Sequence, residues 1–307
     1  MTSPRRRRTR ITRAARITRA ALGSALAGTV AVLALAGLAM AGTADIVRLP
    51  APPFPPAATG IKGAGGLTIV STRANRITDT DAWVTRNRLD LGELAVGGLG
   101  DPAGLEQVPD WAPPTLAGLR LVLGIRDGAV TLLVHGEDFS RGHVISGHDT
   151  TTGKRLWAFD LSAWAVAPTT PRSERSLAYQ QVRWAQVRGG VLTIATAHST
   201  FANASGGRTA YITAIALPSG KLLWRSPALV ANAGSFAIAG SGTKRVIVAG
   251  YGFTREPDYL TVLDARTGTP RGRVALRSAP ERIVVAQDGR LHVRTYDTDV
   301  VATLAPG

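Results

Sequence analysis

Short apolar runs, separated by polar residues and glycines, recur along the chain from about residue 66 onward. The runs are rich in Val, Ile, Leu and Thr, and turn signals such as Asp127-Gly128 and Asp288-Gly289 lie between them. Such a pattern is typical of strands joined in hairpins. After residue 118 the runs form four groups, of which the last lacks one strand. We expect an early strand at 67–70 to complete that group and to cover an open sheet edge.

A turn sequence between two predicted strands is the most regular feature of the chain. It reads D-T-T-T-G-K-R-L-W at 149–157 and returns, less faithfully, at 216–224 and 264–269. An aspartate at the start can accept hydrogen bonds from the turn backbone, and the glycine supplies a positive φ. Its glycines lie 67 residues apart (153 to 220) and then 48 residues apart (220 to 268). A repeat of roughly 40–50 residues built from short strands predicts a β-propeller with four-stranded blades.

The turn resembles the blade signature of pyrroloquinoline-quinone-type (PQQ-like) propeller repeats, A-x-D-x-x-T-G-K-x-x-W. The resemblance covers roughly residues 118–277, and in the first copy only glycine in the alanine position departs from the signature. The second copy has alanine for Asp and serine for Thr, and the third has Thr269 and Gly272 at the Lys and Trp positions. The resemblance implies structural roles in the blades for Asp149, Thr152, Gly153, Lys154, Trp157, Ser219, Gly220, Lys221, Trp224, Asp264, Thr267 and Gly268.

The predicted fold class is therefore all-β, a β-propeller of five to seven four-stranded blades after one N-terminal helix. Residues 66–118 have room for one or two blades, although only 67–70 and 82–85 are distinct strand predictions there. Residues 66–307 form the predicted propeller domain.

Enzymatic members of the family differ from this chain. In the family that this chain resembles, the quinone dehydrogenases have eight blades, a calcium ion and adjacent cysteines at the cofactor. This chain has no cysteine, and 307 residues are too few for eight blades of about 42 residues plus an anchor. We therefore predict no catalytic, cofactor-binding or metal-binding residue and no cofactor.

The N-terminal region predicts membrane attachment. Residues 1–19 contain eight arginines, and the apolar run that follows at 20–41 is long enough to cross a bilayer. Arginines before such a run favour a cytoplasmic N-terminus, with the rest of the chain outside. We expect a basic tail (1–19), a transmembrane or signal-anchor helix (20–42) and a proline-rich linker (43–65). Cleavage after Ala39-Met40-Ala41, giving a secreted protein, is the alternative.

The net charge of +15 does not indicate nucleic-acid binding. Beyond residue 19 the chain has 28 basic residues (36 less the first eight) and 21 acidic residues. These basic residues are scattered and do not form a stripe with aromatics.

The leading hypothesis is a non-catalytic extracytoplasmic propeller that serves as a protein-binding or scaffold module at the bacterial cell envelope. The chain looks similar to propeller scaffold proteins of envelope assembly, so an envelope protein partner is expected. The alternatives are a quinoprotein-type oxidoreductase and a sensor of a small ligand.

Overall fold

The computed structural model of the protein describes residues 51–75, 80–89, 96–97, 108–137, 142–166, 180–198, 210–229, 233–252 and 257–305. All of them belong to one unit, Ile46–Gly307. The predicted basic tail and membrane helix, residues 1–42, lie outside the described residues. Within the described part of the chain, no helix has the length and apolar character needed to span a bilayer.

The described residues are nearly all β and form four antiparallel sheets in a β-propeller-like fold, as predicted. Sheet 1 contains β3 (Thr115–Leu116), β4 (Leu119–Asp127), β5 (Val130–Gly136), β6 (Gly142–Asp149) and β7 (Arg155–Asp160). Sheet 2 contains β2 (Val96–Gly97), β8 (Gln180–Arg188), β9 (Val191–His198), β10 (Tyr211–Ala216) and β11 (Lys221–Arg225). Sheet 3 contains β12 (Ala233–Ala239), β13 (Val246–Tyr251), β14 (Tyr259–Asp264) and β15 (Pro270–Ala275). Sheet 4 contains β16 (Pro280–Val285), β17 (Leu291–Thr295), β18 (Thr298–Leu304) and β1 (Leu67–Ala74).

Strand burial follows position in the sheet. Every residue of β5 and of β13 is buried, whereas the first three residues of β11 are exposed. A strand inside a stack of sheets is covered on both faces and therefore reads as a continuous apolar run. The strand at the outer edge of a sheet has only one neighbouring strand and less cover.

The early strand completes the last sheet, which confirms that prediction. β1 runs antiparallel to β18, from Leu67 opposite Leu304 to Ala74 opposite Thr298. This pairing joins residues from near the start of the domain to its C-terminal strand, so the last sheet gains a fourth strand.

The prediction of a strand at 82–85 is wrong, because these residues lie in a helix, α1 (Thr80–Asn87). Trp83, only 1% exposed, packs with Leu89 and Val284, and Val84 joins the same cluster. Adjacent apolar residues point to opposite faces of a strand but can share one side of a helix. The sequence T-D-T-D at 78–81 is also of the type that begins helices.

The described residues form four sheets, and the number of five to seven blades stays a prediction. The region between residues 66 and 118 supplies no additional blade among its described residues. It contributes β1 to sheet 4, the helix α1 and the two-residue strands β2 and β3. Helix α1 covers the face of β16 that points away from sheet 3, because Val284 contacts the helix while Ile283 contacts the core shared with sheet 3.

Residues 53–66, called the N-terminal strap here, run along the outside of the sheets. The amide of Ala58 donates to the carbonyl of Ala228 (2.6 Å), beside sheet 2, and the amide of Arg273 in sheet 3 donates to the carbonyl of Gly63 (2.8 Å). Prolines keep such a segment extended and remove backbone donors, yet leave carbonyls that accept. The described part of the predicted linker thus packs against the domain before the chain enters β1.

Besides the cluster around Trp83, three hydrophobic clusters lie between successive sheets. The first joins sheets 1 and 2, the second joins sheets 2 and 3, and the third joins sheets 3 and 4.

Candidate functional site

The first motif turn is held together by one carboxylate. Oδ1 of Asp149 accepts from the amides of Thr151 (3.1 Å) and Thr152 (2.7 Å) and from the Thr152 hydroxyl (2.8 Å). The Thr152 amide and hydroxyl hold the pKa of Asp149 below its usual value. Gly153 adopts a φ of +70° and donates its amide to the Asp149 carbonyl (2.9 Å). The side chain of Lys154 is exposed.

The third turn repeats this geometry. Oδ1 of Asp264 accepts from the amides of Arg266 (2.8 Å) and Thr267 (3.1 Å), and Oδ2 pairs with Arg271. Gly268 has a φ of +72° and donates to the carbonyl of Asp264 (2.8 Å).

The second turn keeps the backbone geometry without the aspartate. Gly220, with a φ of +66°, donates to the carbonyl of Ala216 (2.8 Å). The Ser219 hydroxyl accepts from the amide of Lys221 (3.3 Å), whose side chain is exposed. The glycine and the turn closure are thus common to all three copies, whereas the carboxylate is not.

The two motif tryptophans dock on the glycine of the following turn. Nε1 of Trp157 donates to the carbonyl of Leu217 (2.6 Å). A Cβ atom on Gly220 would stand only 2.5 Å from the Trp157 ring, so the ring packs directly on the glycine. Nε1 of Trp224 donates to the carbonyl of Ala265 (3.2 Å), and its ring lies 2.4 Å from the corresponding position on Gly268. Each tryptophan therefore joins its own sheet to the next one.

A third tryptophan, Trp111, docks on a motif glycine in the same way, although it lies before β3 and outside the four sheets, and it was not predicted. Its Nε1 donates to the carbonyl of Thr150 (3.0 Å), and its ring lies 2.8 Å from the Cβ position of Gly153. Trp111 precedes Gly153 by 42 residues (111 to 153), close to the 44 residues from Trp224 to Gly268. This spacing could have identified Trp111 as a docking tryptophan, but no recognisable turn sequence precedes it.

The histidines of sheet 1 make local contacts. His148 lies 3.1 Å (Nδ1) from the Gly153 carbonyl and 2.9 Å (Nε2) from the Ser146 hydroxyl, and Nε2 of His135 lies 3.0 Å from the Pro113 carbonyl. Burial lowers the pKa of both rings. Among the described residues, no three His, Cys, Asp or Glu side chains are grouped as metal ligands would be.

Exposed apolar side chains are concentrated on the outer strands. Of the large hydrophobic residues exposed in the described part of the chain, five lie on the outermost strand of a sheet: Ile69, Val70, Leu156, Leu222 and Leu223. Leu222 and Leu223 are adjacent on β11 and are 40% and 47% exposed. The register of β10 and β11 shifts at this point, between Ala214 and Ile215. No described strand pairs with the outer edge of β11.

The C-terminal third of the chain matches a known family. Residues 208–305 match the sequence profile of a PQQ-type repeat family described as "Outer membrane protein assembly factor BamB". This segment includes β10 and β11, all of sheet 3 and the three C-terminal strands of sheet 4. No curated protein is similar enough in sequence to count as a relative.

Several solved structures are similar at 14% sequence identity. The computationally designed Ika4 protein has a TM-score of 0.39, over 59% of this chain and 88% of its own. BamB from Moraxella catarrhalis has a TM-score of 0.29, over 59% of this chain and 58% of its own. A europium-containing methanol dehydrogenase has a TM-score of 0.34, over 62% of this chain and 28% of its own. The chain thus spans little more than half of that BamB and about a quarter of the dehydrogenase.

Proposed function

The chain is a PQQ-like β-propeller repeat protein, and we propose that it is a non-catalytic protein-binding module at the bacterial cell envelope. In this proposal the N-terminal helix at 20–42 holds the domain at the outer side of the plasma membrane. The partner is a protein of the envelope, and the family description of an assembly factor supports that class of partner.

The observation that carries the proposal is the apolar outer edge of sheet 2. Leu222 and Leu223 expose apolar surface on β11, a strand whose outer backbone edge has no described strand beside it. Such an edge offers a row of N–H and C=O groups to another chain. An extended segment can add to it as a further strand, with hydrogen bonds giving affinity and side-chain contacts giving specificity. We therefore expect the partner to present an extended, partly apolar segment to β11.

Site-specific photocrosslinking of the full-length protein in cells tests this proposal. A photoreactive amino acid at Leu222 is expected to give one discrete adduct, whereas the same group at exposed Thr151, in the first motif turn, gives none. Leu223→Asp in the Leu222 probe protein should abolish the adduct, because a charge would enter the apolar contact. Exchanging the membrane helix for an unrelated one should leave the adduct in place.

Equal labelling at both positions, or no adduct at Leu222, would contradict a binding edge at β11. Quinone absorbance in the purified protein, together with calcium-dependent oxidation of an alcohol or sugar, would instead favour the oxidoreductase hypothesis.

A further inference from the structure

Five polar side chains form a row across one face of sheet 2, called the polar row here. They come from four consecutive strands: Gln180 in β8, Thr196 in β9, Tyr211 and Thr213 in β10, and Arg225 in β11. Tyr211 stands opposite Thr196, and Thr213 stands opposite Arg225. Facing residues share a sheet face, as do residues two apart along a strand. Val182 faces Thr196, and Gln180 lies two residues before Val182, so the Gln180 side chain is on the same face.

The row is buried, and several of its hydrogen-bonding groups have no described partner. Gln180, Thr196, Tyr211 and Thr213 have no exposed surface. Both amide atoms of Gln180, the Thr213 hydroxyl, and Nε and Nη2 of Arg225 make no hydrogen bond within the described part of the chain. Buried polar groups in native proteins are almost always paired, so each such group requires an explanation. Here they share one face of one sheet.

The Arg225 guanidinium is held by three contacts, none of them with a described carboxylate. Its Nη1 donates to the carbonyl of Pro53 in the strap (2.6 Å), and its central carbon lies 4.9 Å and 5.1 Å from the ring centres of Trp164 and Tyr211. Phe54 packs edge-on against Tyr211, with ring centres 5.6 Å apart. No ion pair joins Arg225 to a described carboxylate. Two aromatic rings and one carbonyl therefore orient a half-buried positive charge.

The two nitrogens of Arg225 that lack a partner are neighbours on one edge of the guanidinium. The N–H bonds of Nε and Nη2 point the same way, and this fork matches the two oxygens of a carboxylate. Burial lowers the pKa of the guanidinium and raises the pKa of the Tyr211 hydroxyl to about 12, so burial disfavours the positive charge and keeps the phenol neutral. A bound anion would compensate the charge of Arg225, and the neutral phenol would not repel it.

We infer that the polar row is a binding site for a small organic acid, whose carboxylate is held by Nε and Nη2 of Arg225. Thr213, which faces Arg225 on the neighbouring strand, supplies a hydroxyl for the polar groups on the rest of the molecule. The strap closes the site from outside through Pro53 and Phe54. Arg225 is the last residue of β11, but the site uses the face of sheet 2 and not the outer backbone edge of that strand, so it does not depend on the proposed protein partner.

Calorimetric titration of the full-length protein in detergent tests the site, with succinate as the probe. Inorganic phosphate is titrated in parallel, and chloride at equal ionic strength sets the background. We expect saturable succinate binding accompanied by a change in tryptophan fluorescence, because Trp164 lies beneath the guanidinium. Arg225→Lys should weaken binding at least about tenfold, since lysine keeps the charge but lacks the fork.

Arg273→Lys is the matched control. Arg273 also lies over a tyrosine ring, 4.6 Å from the centre of Tyr259, but its Nε already donates to the Thr261 hydroxyl (3.2 Å). Succinate affinity should be unchanged in this variant.

A second variant keeps the test valid if Arg225→Lys does not fold. Thr213→Val has a similar volume and removes a buried hydroxyl without a described partner, so it should fold at least as well as the parent protein. It should nevertheless weaken succinate binding several-fold. The inference is overturned if succinate does not bind saturably, if phosphate binds more tightly than succinate, or if Arg225→Lys and Arg273→Lys lose affinity equally.

Discussion

The contacts between sheets 1 and 2 differ in kind from those between sheets 3 and 4. The first contain four aromatic side chains, Trp157, Phe159, Trp164 and Tyr211, whereas the second contain only Leu, Ile, Val and Ala. Ring contacts of about 5–6 Å connect the aromatic group, including 5.4 Å between Trp157 and Phe159 and 6.1 Å between Phe159 and Trp164. The aromatic contacts include a docked motif tryptophan, and the aliphatic contacts do not.

The strap explains why the tryptophan is missing from the third motif copy. Gly272 occupies the tryptophan position there, and a Cβ on it would stand 2.0 Å from the Gly65 nitrogen. Ala64 bridges to Gly272, so the strap lies against the strand that would otherwise carry the ring. In the third copy, the departure from the motif thus lies where the strap packs.

Removal of the docked tryptophan between sheets 1 and 2 should have the largest effect. Trp157 is 5% exposed, so Trp157→Ala loses a large buried side chain, leaves a cavity and leaves the Leu217 carbonyl without its donor. We expect a loss of roughly 3–5 kcal/mol in the free energy of unfolding. Urea denaturation followed by circular dichroism measures it.

Leu156→Ala is the control for this change, because Leu156 is the preceding residue but is exposed. Its effect should stay within about 0.5 kcal/mol. Similar losses in the two variants would show that Trp157 does not carry the contact between the sheets.

A methyl group on the receiving glycine should have the next largest effect. Gly220→Ala places a Cβ 2.5 Å from the Trp157 ring. Residue 220 also has a φ of +66°, a left-handed conformation that alanine disfavours. Left-handed strain and the steric clash together should reduce stability by about 2–4 kcal/mol.

Gly128→Ala separates these two causes. Gly128 has a φ of +58° and nothing within 4 Å of its Cβ position, so only the strain of about 1–2 kcal/mol applies. Equal losses in the two variants would remove the evidence for a steric contact with Trp157.

The local features of the fold could be predicted from sequence, and the long-range features could not. Asp149, Gly153 and Trp157 are recognisable because a turn requires particular residue types at fixed spacing. The polar row depends instead on the register of four strands, and nothing near Gln180 or Arg225 in the sequence indicates that they share a face. Helix α1 was missed because a short apolar pair such as Trp83-Val84 fits either period.

The contact between the strap and Gly272 provides a third test of the difference between the aromatic and aliphatic contacts. Gly272→Ala should displace Gly65 and reduce stability by about 1–3 kcal/mol, since the added methyl meets strap backbone. Limited proteolysis should then cut within residues 53–66 faster than in the parent protein. Gly289→Ala adds a methyl group in open space with a φ of +80°, so it should weaken the domain without exposing the strap. Unchanged cleavage in Gly272→Ala would contradict the explanation given for the missing tryptophan.

The smallest effect concerns acid stability at the contact between sheets 1 and 2. Asp160 caps the 3₁₀ turn Leu161–Ala163 that leads to Trp164, and its Oδ1 accepts from the Ser162 amide (2.9 Å). His143, 3.6 Å away, and the Ser162 amide and hydroxyl lower the pKa of Asp160 to about 2. A depressed carboxyl pKa stabilises the fold above the unfolded value of 3.8, and this contribution is lost as the pH falls toward 2.

Asp160→Asn should therefore remove about 1 kcal/mol at neutral pH and flatten the decrease in stability between pH 4 and pH 2. Thermal unfolding at a series of pH values measures both effects. Asp149→Asn serves as the control, because Asp149 caps a turn in the same way but has no ion-pair partner such as His143 among the described residues, so it should change this pH range less. If Asp160→Asn keeps the acid dependence of the parent protein, the carboxylate does not hold Trp164 in the contact, and the aromatic group between sheets 1 and 2 must be maintained by ring packing alone.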